Sequence, residues 1–426
     1  MIDKNLLINN TEKFITLLER KTKNQKILDD TLYLVSLIKS RRHKSATLDS
    51  SISLFNLETE SLHRGASLLS QEELKEAKSS LSSKKEEIKY NTDNLEALIL
   101  EEESLALGIP NLPSESTPYG KSDSDNPTIR KYLEDQCKEK PLTHDKIGGR
   151  FLSSEEGAKL SGTRFVVLHG PLAKLERALI NFFLDKHTSN GYQEVMVPYI
   201  VTKEVMTGTG QLPKFEDDLF ALKNQLSNQT SYLIPTAEVP VTNIYRDTII
   251  DEASLPIKHC SFTPCFRAEA GSAGRDTKGL IRLHQFHKVE LVILTTPQES
   301  LETLEKITED AESCLKDLGL PYRVVERCTA DLGFGGHKGY DIEVWMAGQN
   351  SYREISSCTN FSDFQGRRAK IRYKDSNKKN NFVHTLNASG LAVGRTMAAI
   401  LEFYQVDDNV LIPEVLIPYF GKKTLF

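Results

Sequence analysis

Seven residues within one stretch carry unusual chemical potential. In "CFRAEAGSAGRDTKGLIRLHQFHKVE", residues 265 to 290, Arg267 and Glu269 lie two apart. Arg282, His284, Phe286, Lys288 and Glu290 then follow at every second position. Side chains alternate between the two faces of a strand. The spacing therefore predicts two strands joined by a long glycine-rich loop, with the polar residues on one face. Such a face is either solvated or the floor of a polar site. Arginine presents a fixed fork of donors that suits phosphate. A neighbouring phenylalanine can stack a base. The loop "AGSAGRDTKG" adds Arg275, Asp276 and Lys278 and can close over phosphates or a nucleic-acid end. A nucleoside triphosphate needs that set of groups.

Three further stretches invite the same question. "PTAEVP" places Thr236 and Glu238 two apart on an expected strand. A carboxylate there fits an ammonium group, with the hydroxyl assisting; an ordinary polar edge is the competing reading. "YREISSC" offers Glu354, Ser356 and Ser357, oxygen donors of the kind that hold Mg²⁺ beside phosphates. Glu354 and Ser357 fall on opposite faces of an ideal strand, so both reach one ligand only across a bulge. "VHTLNASGLAVGRTMAAILEFYQ" is expected to join a strand to a helix. Thr385, Asn387 and Ser389 form a polar line, Ala388, Gly390 and Ala392 keep the joint small, and Arg395 falls in the first helical turn. Small residues admit a ligand and a helix N-terminus favours an anion. A tight joint with a surface arginine is the alternative.

The elements that must carry these residues fall into two parts. Before residue 108 the chain has no proline and a single glycine, Gly65. Apolar residues recur in steps of three and four: Leu34, Ile38, Leu48, Ile52, Phe55 and Leu62, then Leu74, Leu81, Ile88, Leu95 and Ile99. The break falls at "HRGAS". This predicts an antiparallel two-helix coiled-coil arm over 1–108. Arg41, Ser45, Thr59, Lys78, Lys85 and Thr92 interrupt its seam, so the arm should be long, exposed and modestly stable. "GIPNLPSESTPYG" then marks a linker. Over 109–426 an amphipathic helix, "PLAKLERALINFFLDKHTSNG", precedes a run of strands with little βαβ rhythm. "YQEVMVPYIV", "SYLIPTAEVPV", "HCSFTPCFRAE", "LIRLHQFHKVELVIL", "YDIEVWMAG", "YREISSCTNF" and "NNFVHTLNASG" all read as strands. The fold class is therefore α+β, with a mainly antiparallel sheet flanked by helices.

The totals exclude little. Of 426 residues, 39% are hydrophobic and 27% charged, and the net charge of −5 does not announce a nucleic-acid binder. Six scattered cysteines lack structural-zinc spacing and read as reduced thiols. No apolar run approaches the ~20 residues of a membrane span, and "MIDKNLLINNTEKFITLLERK" is no secretion signal. A cytoplasmic protein is expected.

Together these stretches resemble the class II aminoacyl-tRNA synthetases, and their seryl branch in particular. The first class motif, a long helix and a strand ending in proline, resembles "GPLAKLERALINFFLDKHTSNGYQEVMVP", closing at Pro198. Arg267, Glu269, Arg282 and Phe286 match the second. Ala388, Gly390, Ala392 and Arg395 match the third, with two alanines for glycines. The seryl branch adds Thr236–Glu238, "GTGQLPKFEDDLF", "EISSCTNFSDFQGRR" and "NASGLAVGR".

The resemblance implies a class II catalytic domain over 109–426, a tRNA-gripping arm over 1–108, and a homodimer. It implies activation of L-serine by ATP, then transfer of serine to tRNA(Ser) and also to tRNA(Sec). Arg267 would be the catalytic residue, bridging the amino-acid carboxylate and the α-phosphate. Thr236, Ala237, Glu238, Arg267, Glu290 and Ser389 would bind serine. Arg267, Ala268, Glu269, Arg282, Phe286, Glu354, Ile355, Ser356, Ser357 and Arg395 would bind ATP, with Phe286 stacking adenine. Glu354 and Ser357 would hold Mg²⁺. The basic run "KSRRHK" (residues 39–44) would meet RNA phosphates or form a solvated helix face. Competing readings are a synthetase-like enzyme loading a carrier protein, a catalytically dead regulator, and a purely structural coiled coil. The hundred-residue arm argues against the first, the intact motif arginines and glutamates against the second, and everything after residue 108 against the third.

Overall fold

The computed structural model describes residues 1–226, 228–271 and 279–426. Arg275, Asp276 and Lys278 of the glycine-rich loop lie outside the described residues. The chain divides into two compact units, Ile2–Ile109 and Pro110–Phe426, the latter including Met1.

The N-terminal unit is helical throughout. Short helices Lys4–Asn9 and Thr11–Lys21 precede two long ones, Gln25–Gly65 and Gln71–Gly108, joined through a 3₁₀ turn at Ala66–Leu68. Local chemistry sets the ends. Asn24 caps the first long helix by accepting from the Lys26 amide. A reciprocal Ser70–Glu73 capping box opens the second. Interrupted seam positions are satisfied in place: the Thr59 and Thr92 hydroxyls donate to Phe55 and Ile88 carbonyls of their own helices. Arg41 reaches Glu102 at 2.5 Å, and Lys4 reaches the same carboxylate at 2.7 Å. Burial alone would raise the Glu102 carboxyl, yet the two cations hold it below its usual value. Toward the turn Leu54 and Leu57 are exposed, and Leu68 is 88% exposed.

The second unit is organised by an eight-stranded sheet. In chain order its strands are β1 (Thr128–Tyr132), β2 (Gln193–Glu194), β3 (Ile257–Phe266), β4 (Gln285–Thr295), β5 (Tyr322–Glu326), β6 (Lys338–Met346), β7 (Ser351–Asn360) and β8 (His384–Ala392). Their spatial order is β1-β5-β6-β7-β8-β4-β3-β2. Every pairing is antiparallel except β2 with β3. Helices Gly170–Ser189, Ser300–Asp317 and Val393–Phe403 pack on the sheet in one apolar core. The stripe Leu172, Leu175, Leu179, Phe182 and Phe183 is buried there, and Gly191, at φ +84°, ends the turn after its helix. On β4, Val289, Leu291 and Ile293 face this core. Val292 and Leu294 face the other way, into a smaller cluster with Ala237 and Val241. All six cysteines are unpaired thiols. Among the described residues no helix is long and apolar enough to cross a membrane.

Five expected strands differ in extent. "YQEVMVPYIV" is split: Gln193–Glu194 joins the main sheet, while Ile200–Thr202 pairs with Gln229–Leu233 in a separate one. Pro198, between them, has no N–H for a ladder. "SYLIPTAEVPV" ends its strand at Leu233, and a helix runs from Glu238 to Asn243. Thr236 and Glu238 therefore share a turn rather than a strand face. The Glu238 amide donates to Thr236 Oγ1 at 3.3 Å, and Pro240 falls in the first helical turn, where no intrahelical N–H is required. "NNFVHTLNASG" breaks at Val383 into two strands. The other two, which meet in the 265–290 stretch, bear on the site.

Candidate active site

The β3–β4 ladder closes at Phe266–Gln285, so Arg267, Glu269, Arg282 and His284 lie beyond the strands. Side-chain alternation orders only Phe286, Lys288 and Glu290. The flanking backbone is held by distant partners that spacing cannot reveal. Asp218 accepts the Ala268 amide at its carbonyl and the Ala270 amide at its carboxylate, and Glu269 between them adopts φ +54°. On the returning side the Leu280 amide donates to His144 Nε2 at 3.0 Å. The two sides meet once more past the ladder. The Arg267 amide donates to the His284 carbonyl at 2.9 Å, and His284 Nδ1 lies 2.9 Å from the Arg267 carbonyl. His284, which had no assigned role, is thus a clasp under Arg267.

These segments bound a cleft of about 740 Å³. Thr236, Glu238, Arg267, Glu269, Arg282, Phe286, Lys288, Glu354, Ile355, Ser389 and Arg395 all line it. Cationic groups crowd one region. The Arg267 guanidinium lies over the Phe286 ring, 5.1 Å from its centre, with Nε donating to the Pro235 carbonyl. Arg282 pairs with Glu269 at 2.7 Å. Arg395, in the first turn of Val393–Phe403, donates to the carbonyls of Ile281 and Glu354. Its guanidinium lies 3.7 Å from the Glu354 carboxylate.

Carboxylates crowd another. Glu238 is buried, and Gln365 Nε2 donates to its Oε1 at 2.6 Å. Asn387 Nδ2 donates to Glu238 Oε2 at 3.1 Å and to Glu290 Oε1 at 2.9 Å, bridging the pair. Lys288, 6% exposed, is paired with Glu290 and donates to Thr236 Oγ1 at 3.1 Å. Burial, reinforced by the nearby Glu290 charge, raises the Glu238 carboxyl to about 7; Gln365, Lys288 and Arg267 oppose the rise. A buried acidic site of this kind can receive a compact cation bearing a hydroxyl.

The remaining expected residues lie outside the cleft wall. Ala237 is fully buried in the smaller apolar cluster, and Glu290 is 1% exposed beneath Lys288 and Asn387. Ser356 Oγ turns inward and donates to the Ser389 carbonyl at 2.6 Å. Ala268 is held in the loop by Asp218. Ser357 hydrogen-bonds Asp341. The expected bulge is present: Glu343 pairs with Glu354, Ile342 with Ser356 and Asp341 with Ser357, leaving Ile355 as the extra residue. Glu354 and Ser357 therefore share a face. Lys288, Gln365 and Asp218 were given no role from sequence. Gln365 and Asp218 sat inside stretches already singled out, "EISSCTNFSDFQGRR" and "GTGQLPKFEDDLF", but nothing in their spacing marked them.

Comparison with known proteins agrees with this architecture. Residues 220–404 match the family model for the tRNA synthetase class II core domain (G, H, P, S and T). The serine–tRNA ligase of Thermodesulfovibrio yellowstonii is 56% identical over 324 residues, 75% of this chain and 76% of that protein. That of Carboxydothermus hydrogenoformans is 54% identical over 347 residues, 80% and 81%. The crystal structure of seryl-tRNA synthetase from Pyrococcus horikoshii complexed with ATP superposes with a TM-score of 0.91 at 33% identity, covering 100% of this chain and 99% of that one. At that identity and coverage, the chain belongs to the serine–tRNA ligase family of class II tRNA synthetases.

Proposed function

We propose that this enzyme joins L-serine to ATP, releasing pyrophosphate, and passes the seryl group from the adenylate to tRNA(Ser) and tRNA(Sec). The observation that carries the reading is the cleft that Thr236 and Glu238 line together with Arg267, Phe286, Arg282 and Arg395. Serine's carboxylate attacks the α-phosphorus of ATP, and a tRNA 3′-terminal hydroxyl then attacks the adenylate. No side-chain nucleophile is required; positioning and charge neutralisation drive an in-line displacement.

In this reading Arg267 touches both the serine carboxylate and the α-phosphate, where negative charge crowds in the transition state. Glu238 and Glu290 receive the ammonium and hydroxyl, with Thr236, Ala237 and Ser389 completing the pocket. Phe286 supplies an aromatic face for adenine, and Glu269 and Ala268 lie beside it. Arg282 meets the terminal phosphates, and Arg395 either packs on the other face of the adenine or meets the γ-phosphate. The Ile355 bulge supports the assignment of Glu354 and Ser357 to Mg²⁺, since it sets two oxygen donors on one face. When bound, Mg²⁺ neutralises phosphate charge. The arm over 1–108 takes the tRNA, the unit over 109–426 the chemistry, the active species is a homodimer, and the protein works in the cytoplasm.

Rejection of alanine follows from polarity. A site built to hydrogen-bond a hydroxyl leaves buried partners unpaired when the hydroxyl is missing, at roughly 10⁴-fold discrimination or more. The deciding experiment is aminoacylation of total tRNA with each of several amino acids. Charging confined to serine, on tRNAs with a long variable arm, is the expected result. Charging of a carrier protein instead of tRNA would sink the proposal.

A further inference from the structure

Gln365 lies in the short helix Phe364–Arg368, is 1% exposed and contributes nothing to the cleft wall. Its amide is nonetheless fully committed. Thr385 Oγ1 donates to Oε1 at 2.6 Å. Nε2 donates to the Thr209 carbonyl at 3.2 Å and to Glu238 Oε1 at 2.6 Å. An amide has two donor hydrogens, and here each has its own acceptor. Flipping the amide would set Oε1 against the Thr209 carbonyl and the Glu238 carboxylate, acceptors facing an acceptor. The orientation is therefore forced whenever Glu238 is ionised.

The other donor to Glu238 is of a different kind. Asn387 shares its amide between Glu238 and Glu290, so it favours neither carboxylate over the other. Gln365 gives no hydrogen to Glu290. The charged groups facing Glu238 are Glu290, Lys288 and Arg267. Of these, Lys288 is already paired with Glu290.

We infer that Gln365 is a positioning residue for the amino-acid pocket: locked by Thr385 and Thr209, it holds Glu238 as an aimed carboxylate for the substrate ammonium. This rests on the reading of Glu238 as the ammonium acceptor. A donor to the charged form favours ionisation, so removing it leaves more of Glu238 protonated at neutral pH. Raising the pH then restores the carboxylate but not its aim.

The test is serine-dependent ATP–pyrophosphate exchange with Gln365→Met, which fills similar volume without a donor, followed from about pH 6.5 to 8.5. Loss of a hydrogen bond to a charged group predicts a rise in serine KM of roughly 10- to 100-fold at pH 7, with the ATP KM changed less than about 2-fold. The rise should shrink toward high pH. An unchanged serine KM, a rise equal at every pH, or one matched in the ATP KM would overturn the inference. Should that variant fail to fold, Thr385→Val removes only the lock and should show a smaller rise with the same pH trend; a flat response counts against the inference equally. Glu238→Gln separates the two ideas. A wild-type serine KM in that variant overturns the ammonium reading itself, whereas a large increase beside a silent Gln365→Met overturns only the role of Gln365.

Discussion

Arg267 is held lightly for a residue assigned so much. One Nε–H bonds the Pro235 carbonyl, and its charge rests on the Phe286 ring. Most of its hydrogen-bonding capacity is thus left for substrate. Arg267→Ala is expected to lower exchange by roughly 10²- to 10³-fold or more, the scale of removing a donor aimed at developing charge. The melting temperature should move by no more than a few degrees; near-normal exchange would refute the assignment. Glu238 carries the second residue-scale prediction. Its folded carboxyl, raised to about 7, lies above its value in the unfolded chain. Between the two values the folded state binds the extra proton, so stability is full at low pH and is lost as pH rises through about 7. The loss is on the order of 3 kcal/mol. Serine affinity should move the opposite way, strengthening from pH 6 to 8 as the carboxylate ionises. Parallel thermal melts and serine titrations check both signs, and Glu238→Gln should flatten both.

At the scale of elements, the β7 bulge shows how a single extra residue changes which side chains can cooperate. Without Ile355 as the unpaired residue, Glu354 and Ser357 would face opposite ways. Glu354→Gln keeps the strand and removes one anionic oxygen from the shared face. The Mg²⁺ concentration for half-maximal exchange should then rise roughly 10-fold or more; an unchanged requirement would remove Glu354 from the metal site. The need for this bulge was legible in the spacing of Glu354 and Ser357. So were the Leu172–Phe183 stripe, the break at Gly65, and the polar line Thr385, Asn387 and Ser389, because each follows a short local period. What stayed hidden was set by distant partners. Asp218 draws 268–270 off the ladder, and the Thr236 hydroxyl helps turn a presumed strand into a helix start. Gln365 acts on Glu238 from 127 positions away. No periodicity encodes such pairs, although the family resemblance had already bracketed the stretches that contain them.

For the molecule as a whole, the division into Ile2–Ile109 and Pro110–Phe426 makes a sharp prediction. The cleft is lined entirely by the second unit. Removing residues 28–105 should leave serine-dependent exchange close to normal, since every cleft-lining residue remains. tRNA charging should fall by orders of magnitude in the same preparation. Equal loss of both activities would show that the arm is needed for adenylate formation too. The second unit has its own internal dependence. Among the described residues, edge strand β1, at Thr128–Tyr132, pairs only with Tyr322–Glu326 in the main sheet. On the ribosome, 194 further residues (326 minus 132) must be made before that partner is complete. At common elongation rates the edge waits roughly 10–40 s in unpaired form. The helical arm, complete by residue 108, can be finished long before. Nascent chains stalled before residue 322 should therefore be the ones that need a chaperone.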